Sequence, residues 1–164
     1  MVNEGDFGMF GMYNIIPSVQ PTHATSDMYW AVDRIGGERA KGAYAYKKLL
    51  QQNGWIPLGT DAPVEDISPL RTFYAAVFRK DREGYPEGGF QAGEALSREE
   101  ALKGMTIWAA KANFEEGEKG SLEAGKMADF IMMREDLMKA DEQSILNMKV
   151  VKTYLNGEMV FGGE

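Results

Sequence analysis

The period of the apolar positions changes several times along the chain, and each change marks an expected element. Residues 14–21 carry Ile15, Ile16 and Val19 in a short run that predicts a strand ending at Pro21. A polar turn follows, with Ser26 and Asp27 as candidate helix caps. From Glu38 to Asn53 good helix formers place Ala43, Tyr46, Leu49 and Leu50 on a shared face, and Gly54 stands where a C-cap belongs. Trp55-Ile56-Pro57-Leu58 then reads as a second short buried strand, which runs on to Asp61 before Pro63 forces a turn. Strand, helix and strand in this order predict a parallel pair with a right-handed crossover.

Ser68 can cap the next helix, which runs to about Arg79. Its Leu70, Phe73, Tyr74, Val77 and Phe78 recur at i, i+3, i+4, i+7 and i+8, the spacing of a core stripe. Residues 80–96 are charged and Gly-rich without a period, which predicts either disorder or a functional loop such as a lid. Ser97-Arg98-Glu99-Glu100 is a capping-box pattern, continued by Leu102, Met105, Ala109 and Ala112 as an amphipathic helix, with Trp108 expected in the core. Residues 117–126 are turn-rich and lead into a strand over 128–133. Near the end, two β-rich runs flank Asn156-Gly157, the strongest short hairpin signal. Residues 1–12 show no period and read as a poorly specified lead-in. Two parts result: residues 1–115 with α/β layers, and residues 116–164 as a small β module.

Composition narrows the function. The chain has 164 residues, enough for one ordinary core, but a closed (β/α)8 barrel needs at least about 200. A hydrophobic share of 44% with 26% charged residues belongs to a globular protein. The net charge of -7 argues against nucleic acid and anionic membranes as partners, since both select a basic face. Cys is absent, which removes disulfides, a thiolate nucleophile and Cys-ligated zinc. The first residues are neither basic nor strongly apolar, and no run approaches the roughly 18 residues of a membrane span, so the expected location is the cytoplasm.

Two residues stand where α/β folds place chemistry. Asp61 follows a strand end, as does His23, the single His of the chain. The alternative for Asp61 is a turn former or helix cap, and for His23 a hydrogen-bonded structural residue. Neither GxGxxG nor GxxxxGK[ST] is present, so the glycines form no phosphate-binding fingerprint.

Ser18-Val19-Gln20-Pro21-Thr22-His23, then Asp27-Met28-Tyr29-Trp30 and Arg34-Ile35-Gly36 resemble, in order, the late barrel segments of the amidohydrolase superfamily, nearest to the amidohydrolase family 3 enzymes related to D-aminoacylase. Leu58-Gly59-Thr60-Asp61-Ala62-Pro63-Val64 is similar to the family's Gly-Ser-Asp-Ala-Pro motif, with Thr60 for the commoner Ser. Glu99-Glu100-Ala101-Leu102, Thr106 and the stretch from Gly120 to Phe130 resemble the linker into the family's β-sandwich.

The resemblance implies an α/β chain made of the last two βα units of a TIM (β/α)8 barrel, followed by part of a small β-sandwich. It implies that Asp61 ends the eighth strand, binds a divalent metal (zinc is the family's usual choice) and trades a proton with the metal-bound water that attacks a C–N bond. His23 would face the pocket of a small-molecule substrate, with Trp30, Arg34 and Arg39 as further lining residues. The family's His-x-His pair, bridging Lys or Glu, and later histidines have no counterpart here, so no metal is expected in the isolated chain. On this reading the chain is the C-terminal fragment of a hydrolase, inactive without the missing N-terminal portion of the barrel. A non-catalytic truncated product serving as an assembly module is the alternative. Open strand edges, 11 Met and the 8 Phe, 7 Tyr and 3 Trp predict self-association.

Overall fold

The structure is a computed structural model and describes residues 1–162. The expected parallel pair is present but only one bridge long. Val19 pairs with Leu58 in parallel, with Val19 N–H donating to the Pro57 carbonyl (3.2 Å) and Gly59 N–H to the Val19 carbonyl (3.0 Å). Prolines explain the brevity. Pro17 and Pro57 have no N–H to give, and Pro21 opens helix α2 (Pro21–Asp27) instead of closing a strand. The polar turn expected around Ser26 and Asp27 is therefore the last turn of a helix. On its other edge Leu58 N–H donates to the Gly104 carbonyl at 3.0 Å. Only glycine fits at 104, because a Cβ there would lie 2.6 Å from Leu58 Cγ.

The lead-in is ordered. Phe7 opens helix α1 (Phe7–Met12) and is 2% exposed, packed in the core with the Lys48 ammonium 4.2 Å above its ring. Helices α3 (Ala31–Ile35) and α4 (Gly37–Ala40) follow α2. The single helix expected from Glu38 to Asn53 is broken: after α4 the chain turns through Tyr44 at φ 57°, and α5 begins at Tyr46 (Tyr46–Asn53). The break is held from outside, by Val2 N–H donating to the Gly42 carbonyl (2.8 Å) and by the Tyr44 hydroxyl donating to Asp27 (2.7 Å). Gly54 ends α5 in the left-handed region, returning its N–H to Leu50 as expected.

Helix α6 (Pro69–Phe78) is the hub. Phe73 and Ala76 are fully buried and Thr72, Tyr74 and Ala75 nearly so, a wider stripe than apolar spacing alone marks. Ser68 occupies its N-cap position without a side-chain bond; the Ser68 N–H donates to Asp66 instead (2.8 Å). Beyond α6 the charged loop is neither disordered nor a free lid. Arg79, fully buried, donates from Nε to the Phe90 carbonyl (2.9 Å) and from Nη2 to Gln91 (3.2 Å), while Gln91 donates on to the Ala40 carbonyl (2.8 Å). At the loop's outer end Asp81 accepts from the Tyr85 N–H (2.9 Å) and bonds the Tyr29 hydroxyl, and the rings of Tyr29 and Tyr85 stack at 5.9 Å.

The capping box forms: Ser97 Oγ accepts from Glu100 N–H (3.1 Å) and Glu100 accepts from Ser97 N–H (2.7 Å). Its helix α7 (Arg98–Met105) stops at Thr106, whose hydroxyl bonds back to the Leu102 carbonyl, and α8 (Ile107–Ala112) resumes. The amphipathic continuation thus fails at Thr106. Leu102 is exposed, and Trp108 packs half-buried against the core.

Strands β1 (Phe130–Met133), β2 (Val150–Leu155) and β3 (Glu158–Gly162) form an antiparallel sheet in that order. Asn156 (φ 50°) and Gly157 (φ 82°) make the expected two-residue turn between Leu155 and Glu158. Between β1 and β2 the chain returns to α6 through α9 (Glu142–Asn147), an element that no local pattern announced. Ile145 is fully buried in the same cluster as Phe73, Leu137, Ala140 and Met148, so one core runs across residue 115.

Candidate functional site

The bridge between Val19 and Leu58 sends both chain segments in one direction, and each continues within four residues into a candidate group. On one side Pro21 starts α2 and puts His23 in its first turn. On the other, Thr60 leads into Asp61, whose backbone sits in the left-handed region at φ 60°, a conformation that Asp tolerates better than most residues. The Thr60 hydroxyl accepts from Ala62 N–H (3.2 Å), a bond that Ser or Thr alike can supply. The Asp61 carbonyl closes the turn by accepting from Val64 (2.8 Å) and Glu65 (3.3 Å).

His23 Nε2 stands 3.3 Å from Asp61 Oδ2, with the side chains 29% and 45% exposed. The approach is too oblique for a hydrogen bond, and Nε2, itself buried, has no other partner. A buried ring nitrogen without a partner is costly, by about 1–3 kcal/mol. A substrate group or metal that reaches Nε2 would relieve that cost. His23 and Asp61 therefore form a half-open pair able to exchange a proton or to offer two ligands.

Two donors do not complete a metal centre. Among the described residues no three His, Cys, Asp or Glu side chains stand close enough to hold an ion. Zinc takes about four ligands, so the donor set of this chain does not by itself fit the metal that the resemblance implies.

The other expected site residues lie apart. Trp30 precedes α3 and is 48% exposed, while Arg39 on α4 folds back so that Nε donates to the Ile35 carbonyl (2.6 Å). Arg34 lies exposed on α3. Among the described residues none of the three bonds to His23 or Asp61. A groove of about 290 Å³ opens on the neighbouring side of α2, lined by Ser26, Tyr29, Glu65, Arg71, Lys80 and Asp81 among others. Its charges are largely satisfied internally, by Arg71 with Asp66 (2.9 Å), Lys80 with Glu142 (2.8 Å) and Tyr29 with Asp81, so it offers little to a charged ligand. The hydrogen bond to Tyr29 also raises its hydroxyl pKa to about 12.

The Amidohydrolase family model matches residues 10–161, and the chain belongs to that family. It is 34% identical over 158 residues to the protein LONG AFTER FAR-RED 3 of Arabidopsis thaliana, a match covering 96% of this chain and 27% of that protein. It is 29% identical over 114 residues to the N-substituted formamide deformylase of Arthrobacter pascens, covering 70% of this chain and 20% of the relative. A crystal structure of an uncharacterized metal-dependent hydrolase from Pyrococcus furiosus superposes with a TM-score of 0.73 at 33% identity, over 85% of this chain and 27% of that one. The structural neighbours are amidohydrolase TIM-barrel proteins, and this chain spans 26% to 38% of their length. No described helix is long and apolar enough to cross a membrane.

Proposed function

We propose that this chain forms the C-terminal portion of a metal-dependent hydrolase that cleaves carbon–nitrogen bonds in small-molecule substrates. Residues 1–115 are its last two βα units and residues 116–164 its share of the β-sandwich, completed by a barrel portion that this chain does not contain. The observation that carries this reading is the buried, unpartnered His23 Nε2 held against the Asp61 carboxylate beyond the one parallel bridge. In the complete enzyme Asp61 would be one ligand of a divalent metal whose remaining ligands come from the missing barrel portion, and the metal would supply Lewis-acid polarisation of the amide. The Asp61 carboxylate takes a proton from the attacking water and returns one to the leaving nitrogen. His23 faces the substrate beside it, and Trp30 and Arg39 belong to the outer rim.

The test is elemental analysis of the chain alone and of its complex with the missing barrel portion, each with and without Asp61→Asn. Sub-stoichiometric metal in the chain alone is expected. So are near-stoichiometric metal and hydrolysis of an N-substituted formamide in the complex, both lost on Asp61→Asn. A complete enzyme that keeps metal and activity with Asn at 61 overturns the reading.

The incomplete donor set favours a second reading, a non-catalytic assembly module. A partner polypeptide bearing His-x-His separates the two in favour of the enzyme. Either reading includes self-association of the isolated chain through the exposed Ile131, Met132, Leu155, Met159, Val160 and Phe161 of the sheet, and a monodisperse monomer in light scattering excludes it.

A further inference from the structure

The Asp61 carboxylate accepts no hydrogen bond among the described residues, and its side chain is 45% exposed. Nothing on the carboxylate itself decides where it points, yet it meets His23 at 3.3 Å. The constraint comes from four residues further on. Ser26 lies three residues after His23 on α2, the spacing that places two side chains on one face. Its hydroxyl donates to Glu65 Oε1 at 2.6 Å and also lies 3.4 Å from the His23 carbonyl. Glu65 in turn returns its backbone N–H to the Asp61 carbonyl. The contacts close a ring: His23 to Asp61, Asp61 to Glu65, Glu65 to Ser26, and Ser26 back to the turn that carries His23. Glu65 is half-buried and has no cation against it among the described residues, so its only side-chain partner is Ser26.

We infer that Glu65 is a positioning residue, which holds the Asp61 carboxylate against His23 through the hydroxyl of Ser26. The inference rests on reading Asp61 and His23 as the functional pair. Without the clamp, the polar contacts from the Asp61–Glu65 turn to α2 among the described residues reduce to the oblique one at His23. With it, the loop docks on α2 at two points one helical turn apart, and the carboxylate is aimed before any ligand arrives. Such prior aiming is what a supporting contact contributes to a reactive group.

Because the chain has a single His, its imidazole gives one set of ring signals in a carbon–proton correlation spectrum. At fixed pH, Ser26→Ala and Glu65→Ala are both expected to move those signals toward their position in Asp61→Asn, with the thermal midpoint lowered by no more than about 4 °C. The Val64 and Glu65 amides are expected to exchange about fivefold faster, the factor that one partly exposed hydrogen bond is worth. Glu65→Gln keeps an acceptor oxygen for Ser26 and should leave the ring signals at their wild-type position. Unmoved ring signals in Ser26→Ala overturn the clamp. A shift in Glu65→Gln as large as in Glu65→Ala also overturns it, since charge and not the hydrogen bond would then be responsible. All of these readouts come from this chain without substrate. If a complete enzyme with Asp61→Asn stays active, the hydrolase reading falls while the clamp result stands.

Discussion

The joint around Arg79 and the pair around Asp61 both bring buried nitrogen against oxygen, and they end in opposite states. At the joint the guanidinium is fully buried, donates to the Phe90 carbonyl and Gln91, and lies 5.0 Å over the Tyr46 ring. Nη1 is left without a hydrogen bond there, so two of the three guanidinium nitrogens are satisfied. At the pair, His23 Nε2 has nothing but an oblique carboxylate, and that carboxylate opens toward solvent. One region is largely finished within the chain, and the other is left open toward solvent. Buried polar groups that close on their own neighbours hold a fold together, whereas an unpartnered nitrogen beside an open carboxylate leaves hydrogen-bonding capacity unused.

The comparison can be tested most forcefully at Arg79. Burial lowers the pKa of its guanidinium, against the opposing pull of Tyr46 and Glu94, yet its hydrogen bonds fasten the 80–96 loop to α6. Arg79→Ala should cost roughly 3 kcal/mol, two bonds from a charged donor at about 1.5 kcal/mol each, as a lower midpoint in urea denaturation. A loss below about 1 kcal/mol would mean that the joint is not the finished structure described.

A smaller effect is expected from acid. Burial pushes the Glu142 carboxyl up, but hydrogen bonds from Lys80 and Tyr74 outweigh it and leave it below the usual carboxylate range. Glu100 follows the same pattern, with burial opposed by Lys47 and the Ser97 backbone. A depressed folded pKa gives stability that is present above the unfolded value near about 4.3 and is lost as pH falls through the folded value. Stability should therefore decline below about pH 4, and Glu142→Gln should flatten part of that decline in denaturation curves at several pH values.

The smallest effect belongs to the site. Asp61→Asn removes no hydrogen bond of the carboxylate and should change stability by less than about 0.5 kcal/mol in the same assay, while abolishing metal retention in the complete enzyme. A large destabilisation would make Asp61 a structural turn residue and erase the contrast with Arg79.

What could be read along the chain was whatever a few neighbouring residues decide among themselves. The Asn156-Gly157 turn, the Ser97 capping box and the Gly54 cap are written in local chemistry, because backbone conformation and one or two side chains suffice to make them. The motif order from Ser18 to Phe130 identified the family, and the positions of His23 and Asp61 just beyond the one parallel bridge were legible from proline placement, although the full strands expected there are absent. Trp30 and Arg39 came only through resemblance, and they do not reach the pair. Ser26 was legible only as a candidate helix cap and Glu65 not at all, since a hydrogen bond between residues 39 positions apart leaves no trace in either neighbourhood.

The sequence by itself determined the family, the turns and caps, the apolar face of α6, and that one His and no Cys stand among its side chains. Tertiary structure alone decided that the 80–96 loop is pinned by Arg79, that α9 returns to the core through Glu142 and Ile145, and that His23 meets Asp61 with its Nε2 unpartnered. Each of these depends on contacts between distant segments, whose free energy is set by burial and geometry at the meeting point. No local periodicity encodes where that point will be.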